Sequence, residues 1–274
     1  MKKTIIIITL TIASVATLAS VTGSQRQKAK MEVPDLEEIR HRVSDVNDDF
    51  YYPKLREMYQ QNDTIMTAEQ YRYFYLGYLF QEDFNPYRVS QFSAIPDSLS
   101  FKQNHTPQEC DSIIKYAEMS LKDNPFDLKQ MSFLIYALNT KKKHMRAKIW
   151  QYRLENILNT IKNTGTGESP DSAWYVISPE HEYALINAMN YTAVGYDGSI
   201  PGIDYITVKM EIPKGQRQRG KVHEGFFFNV VNLQEEYNRK FPPEDYYNET
   251  FEEPIETSER NDSIQNEEYI IETE

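Results

Sequence analysis

The chain has 274 residues, 40% of them apolar and 26% charged, a composition that excludes a polytopic membrane protein and a wholly disordered one. Its net charge of −11 is localised: residues 241–274 hold 12 of the 41 acidic residues and one of the 30 basic ones, so residues 1–240 balance at 29 of each. A neutral body carries no electrostatic footprint for nucleic acid, and a lone cysteine, Cys110, excludes an intrachain disulfide.

Met1-Lys2-Lys3 is a short cationic start, followed by an apolar run from Ile5 to Ala19. That run falls short of the roughly 20 residues needed to span hydrocarbon, so residues 1–23 read as a signal peptide with cleavage after Ala19 or Gly23. No cysteine follows the run, so the expected product is a periplasmic or secreted protein, not a lipoprotein, with no membrane span after cleavage.

Residues 31–165 read as helical. Asp35 and Glu38 form a capping-box pair ahead of Leu36, Ile39 and Val43. Pro53 opens a second helix, and Thr67 with Gln70 caps a third whose Tyr71, Phe74, Tyr75, Tyr78 and Leu79 make one buried stripe. The tyrosine hydroxyls are expected at its rim. Thr106-Pro107-Gln108-Glu109 starts a fourth helix, which Asn124-Pro125 ends, and Asp127 starts the next. A last long helix runs near 144–162 and stops at Gly165, with Lys141-Lys142-Lys143-His144 at the junction before it. Short links make successive helices antiparallel neighbours.

Residues 166–233 read as a small α/β cap in the same domain. Ala173 to Ile177 is a predicted strand, Ser178-Pro179-Glu180 starts a helix reaching about Met189, and 202–212 with 222–231 form an antiparallel pair. Residues 234–274 are assigned to an acidic, disordered tail, its composition plainest from Phe241 onward. The expected fold class is therefore α+β: a mainly helical body of antiparallel hairpins, a small β-containing C-terminal cap, and the tail.

Two resemblances follow. Ala117, Leu121, Asn124-Pro125, Tyr136-Ala137 and Ala147 sit close to the small, large and proline positions of a tetratricopeptide helical pair, although only one and a half units are present. Tyr51-Tyr52-Pro53-Lys54-Leu55, Tyr71-Arg72 through Phe80-Gln81, Phe84-Asn85-Pro86-Tyr87, Asn124-Pro125-Phe126-Asp127-Leu128, Val176-Ile177-Ser178 with His181-Glu182-Tyr183, Asp204-Tyr205 and Phe227-Phe228-Asn229-Val230 follow in order. This set resembles the exported Bacteroidetes-type family of domain of unknown function 4919. The resemblance implies a single secreted domain with no assigned activity.

Candidate functional residues are few. His181 with Glu182 is the weak catalytic candidate, a general acid/base pair with a distant acid. Neighbouring helical residues diverge, so Glu180, His181 and Glu182 cannot chelate one metal, and no metal site or cofactor is expected. Phe84, Asn85, Tyr87 and Arg88 form the loop best suited to glycan contact. Lys214, Arg217, Arg219 and Lys221 crowd another loop, which the acidic tail is expected to shield loosely. Thr64, Ser98, Ser112, Ser172 and Ser263 each follow Asp and precede a methyl-bearing residue. That pattern resembles an O-glycosylation acceptor, and the Asp-Ser preference of turns and helix starts is its simpler explanation. The reading favours a non-catalytic envelope or secreted module binding a protein or peptide. A small-ligand or glycan-binding protein is the alternative, and a hydrolase using His181 the third.

Overall fold

The computed structural model describes residues 31–61, 66–102, 104–210 and 222–242. Helices α1 (Leu36–Ser44), α2 (Tyr52–Gln60), α3 (Ala68–Gly77), α4 (Ala94–Leu99), α5 (Pro107–Asp123), α6 (Leu128–Thr140) and α7 (His144–Lys162) make the body. Strand β1 (Trp174–Tyr175), helix α8 (Glu180–Ala188), strands β2 (Tyr191–Ile200), β3 (Ile203–Met210) and β4 (Gly225–Asn229), and helix α9 (Val231–Lys240) follow. The α+β class with a mainly helical body stands as read.

Local chemistry accounts for the helix starts. Thr67 and Thr106 each accept from the backbone N–H three residues on, while Gln70 and Glu109 reach back to the cap N–H, so both capping boxes are complete. Asp127 accepts from Gln130 N–H at the head of α6. Asp35 accepts from Glu38 N–H, but the Glu38 carboxylate turns to the Tyr73 hydroxyl and Arg42, so only half of that box forms.

Helix α3 is the body's axis. It packs on α1, α2 and α7, and Tyr71, Phe74 and Tyr75 are among the largest fully buried side chains, each worth about 1.5–3 kcal/mol of transfer free energy. Helices α5, α6 and α7 pack in succession, with Ala117, Ala137 and Ala147 buried where they meet. One apolar cluster runs from Ile39 in α1 to Leu233 in α9, so body and cap share a core.

The sheet order is β1-β4-β3-β2. β3 pairs antiparallel with β4 and β2, as the sequence led one to expect for the first of these, while β1 runs parallel to β4 with Trp174 opposite Phe228. Several boundaries move. The strand expected over Ala173–Ile177 contracts to two residues, and β2 was not foreseen. Residues 234–240, assigned to the tail, belong instead to α9, with Leu233 and Glu236 buried. Glu236 is held by Arg40 of α1 at 2.5 Å and by Arg239 at 2.6 Å, which clasps the last helix to the first.

Candidate functional site

His181 and Glu182 open α8, and the roughly 100° turn between helical neighbours sends them apart. His181 is buried. Its Nε2 lies 2.8 Å from the Phe126 carbonyl, which only accepts, so that nitrogen carries the proton. Nδ1 then accepts from the Tyr75 hydroxyl at 2.7 Å, and the Tyr75 oxygen accepts from Ile177 N–H at 3.3 Å. The Tyr75 hydroxyl is thus at the centre of the core and not at its rim. Burial pushes the imidazole pKa down to about 4, so the ring is neutral, with both nitrogens engaged. It braces α3, the α5–α6 link and α8 against one another. A general base needs a ring nitrogen facing its substrate, and here each faces the protein.

Glu182 points to the cap. Burial, and then the charge of Asp204 and a hydrogen bond with it, raise its pKa to about 9, so at neutral pH it is a protonated acid donating to the Asp204 carboxylate. Asp204 Oδ1 also accepts from the Tyr196 hydroxyl at 2.9 Å. The Tyr87 hydroxyl is raised by burial, by Tyr237 and by the same two acids, and its ring meets Tyr237 edge-on at 5.0 Å. The structure therefore gathers Glu182 and Tyr87, two candidates read separately from the sequence, around Asp204, which the sequence marked only as part of the family pattern, and Tyr196, which it did not single out. Tyr87 and Tyr196 are exposed, and with Asp204 they offer aromatic faces beside a hydrogen-bonding carboxylate.

The rest of the 84–88 loop divides. Phe84 is buried against Tyr78, a correction to its reading as a surface residue: the 3-10 turn Tyr78–Phe80 brings the chain back over the core. Asn85 is half-buried and uses its Oδ1 to accept from Tyr87 N–H at 3.0 Å, and Arg88 pairs with Asp123. Ser98 is exposed on α4, with its hydroxyl donating to Ile95 O at 2.8 Å. Ser112 is half-buried on α5. The Ser172 hydroxyl lies 2.8 Å from both Thr166 Oγ1 and Ser169 Oγ. Thr64, Lys214, Arg217, Arg219, Lys221 and Ser263 lie outside the described residues, as do the signal segment and the chain beyond Pro242.

A second feature, invisible in the sequence, is a cavity of about 660 Å³ among α2, α5 and α7. Arg153 of α7 forms part of its wall, 6% exposed. Its guanidinium lies 4.3 Å from the Tyr59 ring centroid and 4.6 Å from that of Trp150, and it donates to the Tyr59 carbonyl in the last turn of α2. The negative end of a helix dipole and two π faces thus offset its desolvation. Arg56, Lys122 and Arg146 also line the cavity, with Glu118 as its one acid. Arg146 pairs with Glu118, and Arg56 lies 4.0 Å from Asp83. A second cavity, of about 750 Å³, lies among α6, α7 and α8 behind Phe133, Tyr136, Leu154 and Leu158. No group of three His, Cys, Asp or Glu side chains is placed to hold a metal among the described residues. No helix among them is long and apolar enough to cross a membrane.

These features define a helical α+β domain with a cation- and aromatic-lined groove. The model of the family described as "Domain of unknown function (DUF4919)" matches residues 37–239, and the chain belongs to that family. The match ends one residue short of the end of α9, so it spans the body and the cap. No curated protein and no solved structure is significantly similar to the chain.

Proposed function

We propose that the protein is an exported, non-catalytic interaction domain whose α2–α5–α7 groove receives an acidic segment of a protein or peptide. One observation carries the reading: Arg153 is held between Tyr59 and Trp150 in the wall of an open cavity that three more cations and a single carboxylate line. In a body whose first 240 residues balance in charge, such a local excess within low-dielectric walls focuses field on an anion. The aromatic faces add contact area for a side chain beside that charge. The engaged nitrogens of His181 support a non-catalytic reading, and the cationic start with its apolar run supports export.

The test is titration of acidic, aromatic-containing peptides against Trp150 fluorescence, with the Trp150→Phe chain as the subtraction for buried Trp174. Arg146→Gln, at an exposed position, should weaken a bound peptide about 3- to 10-fold with no change in unfolding. If peptides bind and Arg146→Gln and Arg56→Gln both leave the affinity unchanged, the groove is not the site.

Glycan binding is the second reading, and the cluster of Tyr87, Tyr196 and Asp204 favours it. Saturable binding to a glycan that Tyr87→Ala abolishes would support it.

A further inference from the structure

The last described helix ends against a turn whose Asp83 also meets a residue of the groove. Lys240, the last residue of α9, donates through Nζ to the Gln81 carbonyl and lies 5.2 Å from the Phe84 ring centroid. On the same turn Asp83 lies 4.0 Å from Arg56, which lines the groove. One turn, 81–84, therefore connects the exit of the chain to the cationic cavity. Beyond Pro242 the sequence reads Pro243-Glu244-Asp245-Tyr246-Tyr247-Asn248-Glu249-Thr250-Phe251-Glu252-Glu253, with five acids, three aromatic residues and no base. The groove offers the complement: Arg56, Lys122, Arg146 and Arg153 beside Tyr59 and Trp150.

We propose that residues 244–253 are the resident occupant of the α2–α5–α7 groove, so that the chain carries its own competitor for the site. The proposal rests on the reading of that groove as a site for acidic segments. Geometry permits it: residues 241–243 link α9 to the segment and reach about 10 Å when extended, and the turn 81–84 that Lys240 touches also carries Asp83, the partner of Arg56 at the groove. Tethering at such a length gives an effective concentration in the millimolar range. A segment with an intrinsic dissociation constant near 0.1 mM would then fill the groove about nine times in ten, and an incoming acidic peptide would bind about tenfold more weakly than to the vacant site. A partner must present a better-matched segment to enter, which is selection by competition.

The experiment uses the full chain and a full-length variant with Glu244, Asp245, Glu249, Glu252 and Glu253 changed to the amides. A second variant changes four distal acids, Glu267, Glu268, Glu272 and Glu274, to Gln. The probe is a synthetic peptide of residues 243–254, followed by Trp150 emission, and the neutral quencher acrylamide reports how far Trp150 is covered. The proximal variant should bind the peptide about tenfold more tightly than the unmodified chain and expose Trp150 to acrylamide, and the distal variant should do neither. Equal peptide affinity for all three chains would overturn the resident segment and leave the groove standing. An equal gain in both variants would show a general charge effect and also overturn it. No peptide binding to any chain would remove the groove reading and this inference with it.

Discussion

The His181 brace makes a specific demand on acid stability. In the unfolded chain the imidazole titrates near 6.5, and in the fold burial holds it down to about 4. Between those values the unfolded state binds the extra proton and the folded state does not, so stability is fully present above pH 6.5 and is lost as pH falls toward 4. The displacement corresponds to about 3 kcal/mol. Other groups at the same junction run the other way. Asp127, raised by burial to about 6, and Glu182, raised to about 9, favour the fold as they take up protons. The raw pH profile therefore mixes signs, and a difference between two chains isolates the histidine. His181→Gln keeps a donor and does not titrate, although it costs about 1–3 kcal/mol at pH 7 through one unsatisfied partner. Urea unfolding of both chains at half-unit steps from pH 7.5 to 4 should show the stability difference shifting by about 3 kcal/mol against the wild type, so that its advantage vanishes or reverses, with most of the change between pH 6.5 and 4.5. A wild-type advantage that stays constant across that range would refute the neutral, doubly engaged imidazole.

Two further outcomes follow from named contacts. Gly167 has φ +67°, and a Cβ there would sit 2.7 Å from the Trp174 ring, so Gly167→Ala should cost about 2–4 kcal/mol and lower Tm by on the order of 5–10 °C. Gly195→Ala, whose Cβ meets only Thr207 at 3.4 Å, should change Tm little, and calorimetry of both variants checks the contrast. Glu182 holds its proton to about pH 9 in the fold but releases it near 4.5 when unfolded, so its linkage costs stability as pH rises through that window. Asp204→Asn removes the neighbouring charge and should therefore raise stability at pH 8 relative to pH 5, as measured by paired urea melts.

The body was legible in the sequence because its signals are local: capping boxes, Pro107 at a first helical turn and the Tyr71–Leu79 stripe, which runs from α3 into the 3-10 turn after it, each span only a few turns of chain. Strand β2 escaped because nearly all of it is exposed and it carries Gly195, Asp197 and Gly198, so no alternation marks it, and two register shifts interrupt its pairing. Helix α4 is six residues long, contains Pro96 and has no side-chain cap. Helix α9 is hard to read from sequence because Val231, Leu233 and Tyr237 are its only apolar residues, and Glu236, which is buried, has its partner in an arginine nearly two hundred positions away. The partners of the candidate residues were hidden for the same reason. His181 was visible, but its partners Tyr75 and Phe126 lie 106 and 55 positions off. Asp204 gave no sign that it would meet Glu182, and the groove needed three helices to be placed.

The clasp between α1 and α9 has a consequence for how the chain is made. Arg40 and Glu236 are 196 positions apart, and β4 must slot between β1 and β3 before the sheet is complete. Contacts of such separation carry a large loop-closure entropy and slow folding. On the ribosome the helical body emerges first and can pack early, yet α1 faces its acidic partner only when α9 has left the exit tunnel. A chain truncated at residue 230 would leave one flank of α1 uncovered, so the last ten residues of the domain act as the latch that closes the fold.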